Sequence, residues 1–391
     1  MGTITISGAY QQMLQIDGPG TTINVSGNAS IVGTAFGVYL TSTAINSTIN
    51  VNGYVSGPSG AIYSLAVGAK VTVGSAAELS GTYGVALAGA GSSVVNKGEI
   101  NSGAGYGIYD LAGAGNQITN SGEINAILGI VGTGDGGRIV NQAGGEIHGV
   151  TQGIVSSANA DEHYTIINHG EILTALNGIA IASSSEDVRI TNDGKISGVI
   201  ILGAGDDLFD NRGGSYNTTL MGNIGDDTLI VDNAKYKLTE EVGEGTDTVK
   251  STVSYKLSAN VEKLVLLGNA DIDGTGTSLA DFLHGNSGNN DLKGLAGLDH
   301  LYGHKGNDRL EGGSGADYFH FSEGDGHDVI LDMDVGTDWI NIHDWAGIEN
   351  FNQLKNHAQN QGNDVIIEQG DDSLLIKGFH KADLVMMDFV Y

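Results

Sequence analysis

Short runs of β-branched residues, broken by Gly and Asn, fill the first half of the chain. The phrase Asn-x-Gly-Glu-Ile begins at Asn96, Asn120 and Asn168, a variant with Lys begins at Asn192, and a copy lengthened by insertion begins at Asn141. Alternation of apolar and polar residues is typical of strands with one buried face. A repeat of about 24 residues has room for three short strands and three turns. The pattern therefore predicts an all-β fold that begins with a right-handed parallel β-helix over residues 1–200.

Stacked coils of this kind align equivalent residues in columns. The asparagines that open each phrase fall in one turn, where buried amides can hydrogen-bond along the stack and stabilise it. Glu99, Glu123, Glu146 and Glu171 form a second column that ends at Lys195. Because like charges about 5 Å apart repel each other, a solvated acidic stripe is the main interpretation. A weak site for a cation or another ligand is the alternative.

In the second half the period changes to nine residues. Residues 285–320 divide into four nonapeptides of the form Gly-Gly-x-Gly-x-Asp-x-apolar-x, and a degenerate copy covers 276–284. The apolar positions nine residues apart are Leu283, Leu292, Leu301, Leu310 and Phe319. This register predicts a calcium-binding parallel β-roll, in which two nonapeptides form one coil and each apolar side chain points inward.

The residue types at these spacings suit calcium. Glycines allow a tight turn that directs backbone carbonyls at one point, and the sixth-position Asp adds a carboxylate to an all-oxygen shell. Turns 18 residues apart then share an ion, which pairs Asp281 with Asp299, Asn290 with Asp308, and Asp299 with Asp317. Asn290 replaces Asp and should weaken its site. The predicted ligands in this register are Asp281, Gly288, Asn290, Gly297, Asp299, Gly306, Asp308, Gly315 and Asp317.

Composition and charge limit the classes of molecule that the protein can bind. The chain has 391 residues, 63 Gly, no Cys and a net charge of −29, which is unfavourable for nucleic-acid binding. The net charge is −8 over residues 1–200 and −21 over residues 201–391, so we place a domain boundary near residue 200. No apolar run approaches the length of a membrane span. The start of the chain has no features of a classical signal peptide.

Residues from about 200 to the end resemble the RTX (repeats-in-toxin) secretion modules of Gram-negative bacteria. Outlying copies of the nonapeptide place Asp207 and Asp227 at the sixth position. The segments around Asp328 and Asp338 resemble the capping segment of these modules, and the resemblance implies further acidic ligands there. It divides the second half into a β-roll with inserted linker strands over 201–320 and a cap with secretion signal over 321–391.

The resemblance also implies a location and a partner. The ending Met387-Asp388-Phe-Val-Tyr391 is similar to the uncleaved signal read by the type I secretion apparatus. In that family the module is disordered at cytosolic calcium and folds around several calcium ions outside the cell. We therefore expect a secreted, extracellular or cell-surface protein of a Gram-negative bacterium.

Catalytic residues in the first half are weakly indicated. Tyr106-Gly-Ile-Tyr-Asp110-Leu resembles the Tyr-Gly-Phe-Asp-Pro-His signature of the mannuronan epimerases, but it lacks Pro-His and its Asp is shifted by one position. His148 is the third catalytic candidate, and it belongs to a polar cluster with Asp161, Glu162, His163 and His169. A surface role is the main interpretation of that cluster.

The regular coils leave little chain for the walls of a cleft. The sequence therefore favours a non-catalytic solenoid with a structural or adhesive role at the cell surface or in the extracellular matrix. Two alternatives stay open. One is a lyase or epimerase that acts on an acidic polysaccharide, and the other is a self-associating filament or surface-layer subunit whose exposed strand edges pair.

Overall fold

The computed structural model describes residues 2–111, 113–157, 163–175, 178–184, 187–345, 347–385 and 389–390. The chain divides into two compact units, Met1–Gly225 and Asp226–Tyr391. Both are built almost entirely from short parallel strands, which confirms the predicted all-β solenoid. The boundaries at residues 200 and 320 stay predictions.

The first unit is a parallel β-helix with coils of about 23 residues. One side of every coil contributes a strand to a sheet that we call sheet 1. Its strands are Thr3–Ile6, Thr22–Val25, Thr48–Val51, Lys70–Val73, Ser93–Asn96, Gln117–Asn120, Arg138–Asn141, Tyr164–Asn168, Val188–Asn192 and Leu208–Asp210.

The rest of each coil forms sheet 2, which bends between two strands. Glycines at the bend shift the register, for example between Ser102 and Tyr106. Three long strands continue across the bend: Glu99–Asp110, Glu123–Gly132 and Glu146–Ser156. The other strands are Ala9–Tyr10, Leu14–Ile16, Ser30–Val32, Phe36–Leu40, Tyr54–Ser56, Gly60–Ser64, Glu78–Ser80, Tyr83–Leu87, Glu171–Thr174, Ile179–Ser183, Lys195–Ser197, Val199–Ala204, Ser215–Tyr216 and Leu220–Ile224.

Equivalent residues of successive coils form columns in the core of the first unit. The second residue of most sheet 1 strands is a β-branched apolar residue, such as Ile49, Val71 and Val94, with at most 1% of its surface exposed. Burial of such columns drives the stacking of the coils. The column formed by the residues two positions later changes from apolar to polar along the stack. The change occurs where Val73 of one coil pairs in register with Asn96 of the next.

The asparagine column that the sequence predicts is present and buried. Asn120 Nδ2 donates to Asn141 Oδ1 over 2.9 Å, and Asn141 Nδ2 donates to Asn168 Oδ1 over 2.8 Å. Asn192 continues the column and donates to Asn211 Oδ1 over 2.6 Å. Asn120, Asn141 and Asn168 each also donate to a backbone carbonyl, as buried polar groups require.

The second unit is also built from stacked coils of parallel strands, and its coils are shorter. The strands of its sheet 3 are Thr228–Val231, Thr248–Ser251, Lys263–Leu266, Phe282–His284, His300–Tyr302, Tyr318–Ser322, Trp339–Asp344 and Phe389–Val390. Those of its sheet 4 are Tyr255–Lys256, Gly274–Thr275, Asp291–Gly297, Arg309–Gly315, His327–Ile330, Asp372–Ile376, Asp364–Gln369 and Ala358–Gln361. A further short strand covers Leu238–Thr239.

Successive nonapeptides alternate between the two sheets, as two repeats per coil require. Leu283 and Leu301 pair in register on sheet 3, whereas Leu292 and Leu310 pair on sheet 4. These side chains are fully buried. The five-membered apolar register predicted from the sequence therefore forms the core of the roll.

Antiparallel pairing ends the solenoid. Asp372–Ile376 adds in parallel to His327–Ile330, but Asp364–Gln369 pairs with it antiparallel, and Ala358–Gln361 adds to that hairpin. The helix Phe351–His357 precedes the hairpin. Asn350 caps the N-terminus of this helix, because its side-chain oxygen accepts the N–H of Gln353 over 3.1 Å. Within the described ranges, no helix is long and apolar enough to cross a membrane.

Candidate calcium sites

The sixth residues of nonapeptides that are 18 residues apart lie next to one another on adjacent coils. The N–H of Asp281 donates to Oδ1 of Asp299 over 2.9 Å, and the N–H of Asp299 donates to Oδ1 of Asp317 over 3.0 Å. On the other side of the roll, the N–H of Asn290 donates to Oδ1 of Asp308 over 2.7 Å. The structure thus brings together the three pairs that the nine-residue register places in facing turns.

The second carboxylate oxygen has a different environment. Oδ2 of Asp299, Asp308 and Asp317 is buried and has no hydrogen-bond partner in the part of the chain that the structure describes. All three residues have an exposed fraction of 0%. Leaving such an oxygen without a donor or cation is costly, because its hydration is lost without compensation. A hard divalent cation would supply the missing partner.

In two other turns the equivalent side-chain oxygen accepts a backbone hydrogen bond, so it needs no cation. The second residue of the turn donates its N–H to the sixth side chain: Thr277 donates to Asp281 Oδ2 over 2.5 Å, and Asn286 donates to Asn290 Oδ1 over 2.8 Å. Neither Thr277 nor Asn286 has a positive φ. We call these capped turns, because a backbone N–H of the turn itself binds the side-chain oxygen of the sixth residue.

The three turns with a free oxygen have a left-handed second residue. The φ values are 86° at Leu295, 62° at His304 and 101° at Gly313. This conformation is unfavourable for Leu and His, so the surrounding turn must hold it. The conformation of the second residue therefore separates turns that leave a carboxylate oxygen for an ion from turns that do not.

The fourth-position glycines bring the backbone of adjacent coils into close contact. A side chain at any of them would collide with a carbonyl oxygen of the preceding coil. An added Cβ would lie 2.4 Å from Ala270 O at Gly288, 2.4 Å from Leu279 O at Gly297, 2.3 Å from Gly288 O at Gly306 and 1.7 Å from Gly297 O at Gly315. Only glycine therefore fits at these four positions.

Burial and mutual repulsion raise the pKa values of these carboxyl groups. Burial is the main cause for Asp299 and Asp308, whose pKa values rise to about 7. Asp328 accepts the N–H of Asp308 over 2.8 Å, and burial together with nearby carboxylates raises its pKa to about 8. A bound divalent cation would favour the ionised carboxylates and displace their protons.

Two further predicted ligands, Asp338 and Asp207, lie outside the nonapeptides of residues 276–320. Asp338 Oδ1 accepts the N–H of Asp317 over 3.0 Å, but its Oδ2 accepts the N–H of Asp334 over 2.7 Å, as in the capped turns. In the first unit Asp207 is buried, and its Oδ1 accepts the N–H of Val188 over 2.5 Å. A role for either residue in calcium binding stays a prediction.

The predicted ligand Asp227 belongs to a buried acidic cluster whose other members the sequence did not indicate as ligands. Asp227 donates its N–H to Asp247 Oδ1 over 2.9 Å, and Asp247 donates its N–H to Glu262 Oε2 over 2.9 Å. Carboxylate oxygens of Asp227, Glu240 and Asp247 lie within 4.8 Å of one another. Asp227 lies in an outlying copy of the nonapeptide, but the stretch that contains Asp247 and Glu262 resembles the inserted linker strands and was assigned to them. The 20-residue step from Asp227 to Asp247, close to one coil, was the available signal.

The catalytic candidates of the first unit are not arranged as an acid–base pair. Asp110 is fully buried, its Oδ1 accepts Asn116 Nδ2 over 2.7 Å, and burial raises its pKa. Tyr106 is half-buried on the same strand and stacks on Tyr109 with ring centroids 4.7 Å apart. His148 lies on a different strand and contacts Glu146, Nε2 to Oε2 2.8 Å. A buried carboxyl is shielded from a polymeric substrate.

The predicted glutamate column is present on sheet 2. Glu99, Glu123, Glu146 and Glu171 are register partners, and Lys195 ends the column by donating to Glu171 Oε2 over 2.9 Å. Oxygens of Glu123 and Glu146 and a ring nitrogen of His148 lie within 4.8 Å of one another, at the surface. Asp161 and Glu162 of the predicted polar cluster, and Met387, Asp388 and Tyr391 of the predicted secretion signal, lie outside the described residues.

Comparison with known proteins agrees with the assignment of the repeats. The profile described as RTX calcium-binding nonapeptide repeat (4 copies) matches residues 212–233, 275–308, 284–319 and 294–330. The chain is 37% identical over 169 residues to the endo-1,3-1,4-beta-glycanase ExsH of Rhizobium meliloti (strain 1021). This match covers 43% of the chain and 34% of ExsH. The extracellular lipase LipA from Serratia marcescens is a structural match with a TM-score of 0.26 and 16% identity, covering 60% of this chain and 40% of LipA.

The second half of the chain therefore carries RTX calcium-binding repeats folded as a parallel β-roll. The buried, unpartnered oxygens of Asp299, Asp308 and Asp317 fit that assignment, because they provide what a hard cation binds. The protein is a calcium-binding repeat protein with a parallel β-solenoid fold.

Proposed function

We propose that this protein is secreted by the type I route, folds its second half on extracellular calcium, and serves as a structural and adhesive solenoid at the cell surface or in the extracellular matrix. The calcium dependence follows from the acidic columns, which repel one another until cations neutralise them. Calcium that binds only the folded state stabilises it by a free energy that increases with the logarithm of the calcium concentration once this exceeds the dissociation constant. A chain exported unfolded would thus fold in the medium.

The observation that carries the adhesive role is a set of stacked aromatic rings along successive coils of sheet 2, which we call the tyrosine surface. It consists of two clusters, Phe36 with Tyr39 and Tyr63, and Tyr83 with Tyr106 and Tyr109. Their rings are partly exposed. Tyrosines combine an apolar ring with a polar hydroxyl and are enriched in binding surfaces for that reason.

The experiment compares binding with turnover. Calcium-loaded protein is passed over immobilised alginate, pectate and bacterial exopolysaccharides, and the soluble polymers are assayed for new reducing ends, unsaturated uronate and epimer ratio. We expect retention without turnover, reduced by Tyr106→Ala and by Tyr109→Ala. Tyr54→Ala, outside both clusters, should bind as the parent does. Equal retention of all three variants would contradict the role of the tyrosine surface.

A carbohydrate-active enzyme is the second candidate, because part of the chain is 37% identical to a glycanase. For that function Asp110 is the acid to test, since burial raises its pKa and a carboxyl of raised pKa can act as a general acid. Because this carboxyl is fully buried, the function also requires the coil to open around it. Turnover that disappears in Asp110→Asn, while calcium-dependent folding persists, would replace the adhesive proposal by the enzymatic one.

A further inference from the structure

Aromatic and imidazole rings cover the outward side of four neighbouring strands of sheet 3. They alternate with fully buried residues such as Leu283 and Leu301. One column contains Phe282, His300, Tyr318 and Trp339, with neighbouring centroids 4.7 Å apart at every step. The next column contains His284, Tyr302 and His320, with centroid distances of 4.3 and 3.9 Å. Together with His304 we call this surface the imidazole patch.

Two pairs of histidine nitrogens meet within the patch. His284 Nδ1 lies 3.2 Å from His304 Nε2, and His300 Nδ1 lies 3.0 Å from His320 Nε2. In both pairs the second histidine follows the first by 20 residues, so it lies one coil further and two residues along the strand direction. The two pairs repeat one geometry on adjacent coils.

We propose that each pair is a site for a divalent transition-metal ion such as Cu²⁺, Ni²⁺ or Zn²⁺. Ligands about 2.1 Å from such an ion are about 3.0 to 3.4 Å apart at square-planar or tetrahedral angles. The observed nitrogen distances fall in or next to this range. Imidazole is a preferred ligand of these metals, whereas calcium prefers oxygen. The pairs are therefore separate in chemistry from the carboxylate columns.

The metal-free pair is held by a hydrogen bond between one N–H and one lone pair. Metal binding replaces this bond by two metal–nitrogen bonds. The donor ring then carries its proton on its other nitrogen, which is the alternative neutral tautomer, so no net proton is released. Waters or a ligand on the patch would complete the coordination of the ion.

The surroundings hold the rings in place and keep them neutral. Tyr302 stacks between His284 and His320, which restricts rotation of both imidazoles. Burial is the main reason why the pKa values of these two histidines fall to about 4. His304, Lys263 and His320 lower the pKa of His284 further, and His300 lowers that of His320. At neutral pH the lone pairs needed for a metal are therefore present.

The other member of the first pair is the more accessible one. His304 is exposed, and its left-handed backbone, with φ of 62°, belongs to a turn that contains a calcium-competent Asp308. Calcium would stabilise that turn and with it the position of the ring. We therefore expect transition-metal binding to be strongest when the calcium sites are filled.

The test uses the full chain in saturating calcium. Cu²⁺ is titrated by calorimetry, and electron paramagnetic resonance reports nitrogen ligands on the bound ion. His304→Phe and His320→Phe keep a ring in the stack but remove one nitrogen ligand each, and His357→Phe in the helix is the matched control. We expect each patch variant to lose one bound ion that carries two imidazole nitrogens. The control should retain both.

A measurement on the unaltered protein makes the test independent of how the variants fold. Nitrogen NMR of the histidine rings during Zn²⁺ addition should show selective shifts at His284, His300, His304 and His320. Shifts confined to other histidines would overturn the proposal. So would displacement of the copper by excess calcium, or equal copper stoichiometry in the parent and both patch variants.

Discussion

At the scale of single residues, the sixth and second positions of each nonapeptide decide how a turn satisfies its buried oxygen. Asn290 shows the substitute for an ion: its Nδ2 donates to Ile272 O over 2.6 Å and to Asn286 Oδ1 over 3.1 Å. An amide N–H thus occupies a position in which a carboxylate would need a cation. Asp299 has no such donor on Oδ2 among the described residues.

Replacing these two residues should therefore have different effects. Asp299→Ala removes an ion ligand as well as the acceptor of the Asp281 N–H. We therefore expect a loss of stability that is about 2–3 kcal/mol larger in calcium than in chelator. Asn290→Ala leaves its partners unsatisfied and should cost about 1–3 kcal/mol with and without calcium. Denaturant unfolding of the full chain in calcium and in chelator measures both. Equal calcium dependence of the two variants would contradict the distinction.

The raised carboxyl pKa values also predict the effect of pH without calcium. Because the pKa values of Asp299 and Asp308 rise to about 7 and that of Asp328 to about 8, the folded state binds more protons than the unfolded state. Its stability must then fall as pH rises through these values. In chelator, the β-sheet signal of the second unit should therefore decrease from pH 6.5 to 8.5.

Below pH 6.5 the histidines oppose this trend. The pKa values of His284 and His320 are lowered to about 4, so protons on the unfolded chain destabilise the fold as pH falls from 6.5 towards 4. Circular dichroism between pH 6.5 and 8.5 separates the two effects, with saturating calcium as the control in which the signal stays constant. A signal in chelator that increases with pH would refute the assignment of protons to these carboxyl groups.

At the scale of elements, some coils of the first unit are stabilised by a column of hydrogen-bonded asparagines, and others by a column of buried apolar residues at the same register position. The register position occupied by Val25, Val51 and Val73 becomes Asn96 and Asn120 in later coils. The apolar residues are stabilised by burial, whereas the asparagines require a complete chain of hydrogen bonds. An interior asparagine is therefore coupled to both neighbouring coils.

Asn141→Ala should interrupt this chain. Its Nδ2 donates to Asn168 Oδ1, Gly145 O and Glu171 O, and its Oδ1 accepts from Asn120 Nδ2. We expect a loss of about 1–3 kcal/mol, because the substitution leaves buried partners without bonds. Asn125 is the control, because it is only half-buried on sheet 2 and donates to Asn101 Oδ1 over 3.1 Å. Asn125→Ala should change stability by less than about 0.5 kcal/mol. Thermal unfolding in calcium compares the two, and similar losses would refute the special role of the buried column.

At the scale of the whole molecule, the two units depend on different sources of stability. The first has a core of stacked apolar and asparagine columns, and the charge over residues 1–200 is −8. The second has smaller coils and buried acidic columns, and the charge over residues 201–391 is −21. We therefore expect cations to contribute more to the stability of the second unit than to that of the first.

Heating the full chain should therefore give two transitions. In calcium, the transition of the second unit should shift upward with calcium concentration, since the ions bind the folded state. That of the first unit should not move when a chelator is added. Magnesium should not replace calcium, because it demands smaller and more regular octahedral coordination. A single transition that moves as a whole with calcium would contradict this division.

The repeats themselves determined the solenoid, the inward columns and the facing pairs of the roll, because a fixed period aligns equal residues whatever the details of each turn. Only the tertiary structure decided which turns leave an oxygen free. That depends on the φ of residues such as Leu295 and Thr277, which the motif does not specify. The nine-residue register likewise does not predict the contacts of Asp247 with Asp227 and of His284 with His304, because the residues of each pair are 20 positions apart. They arise from the length of a coil and from the lateral offset between strands, and both are properties of the folded stack.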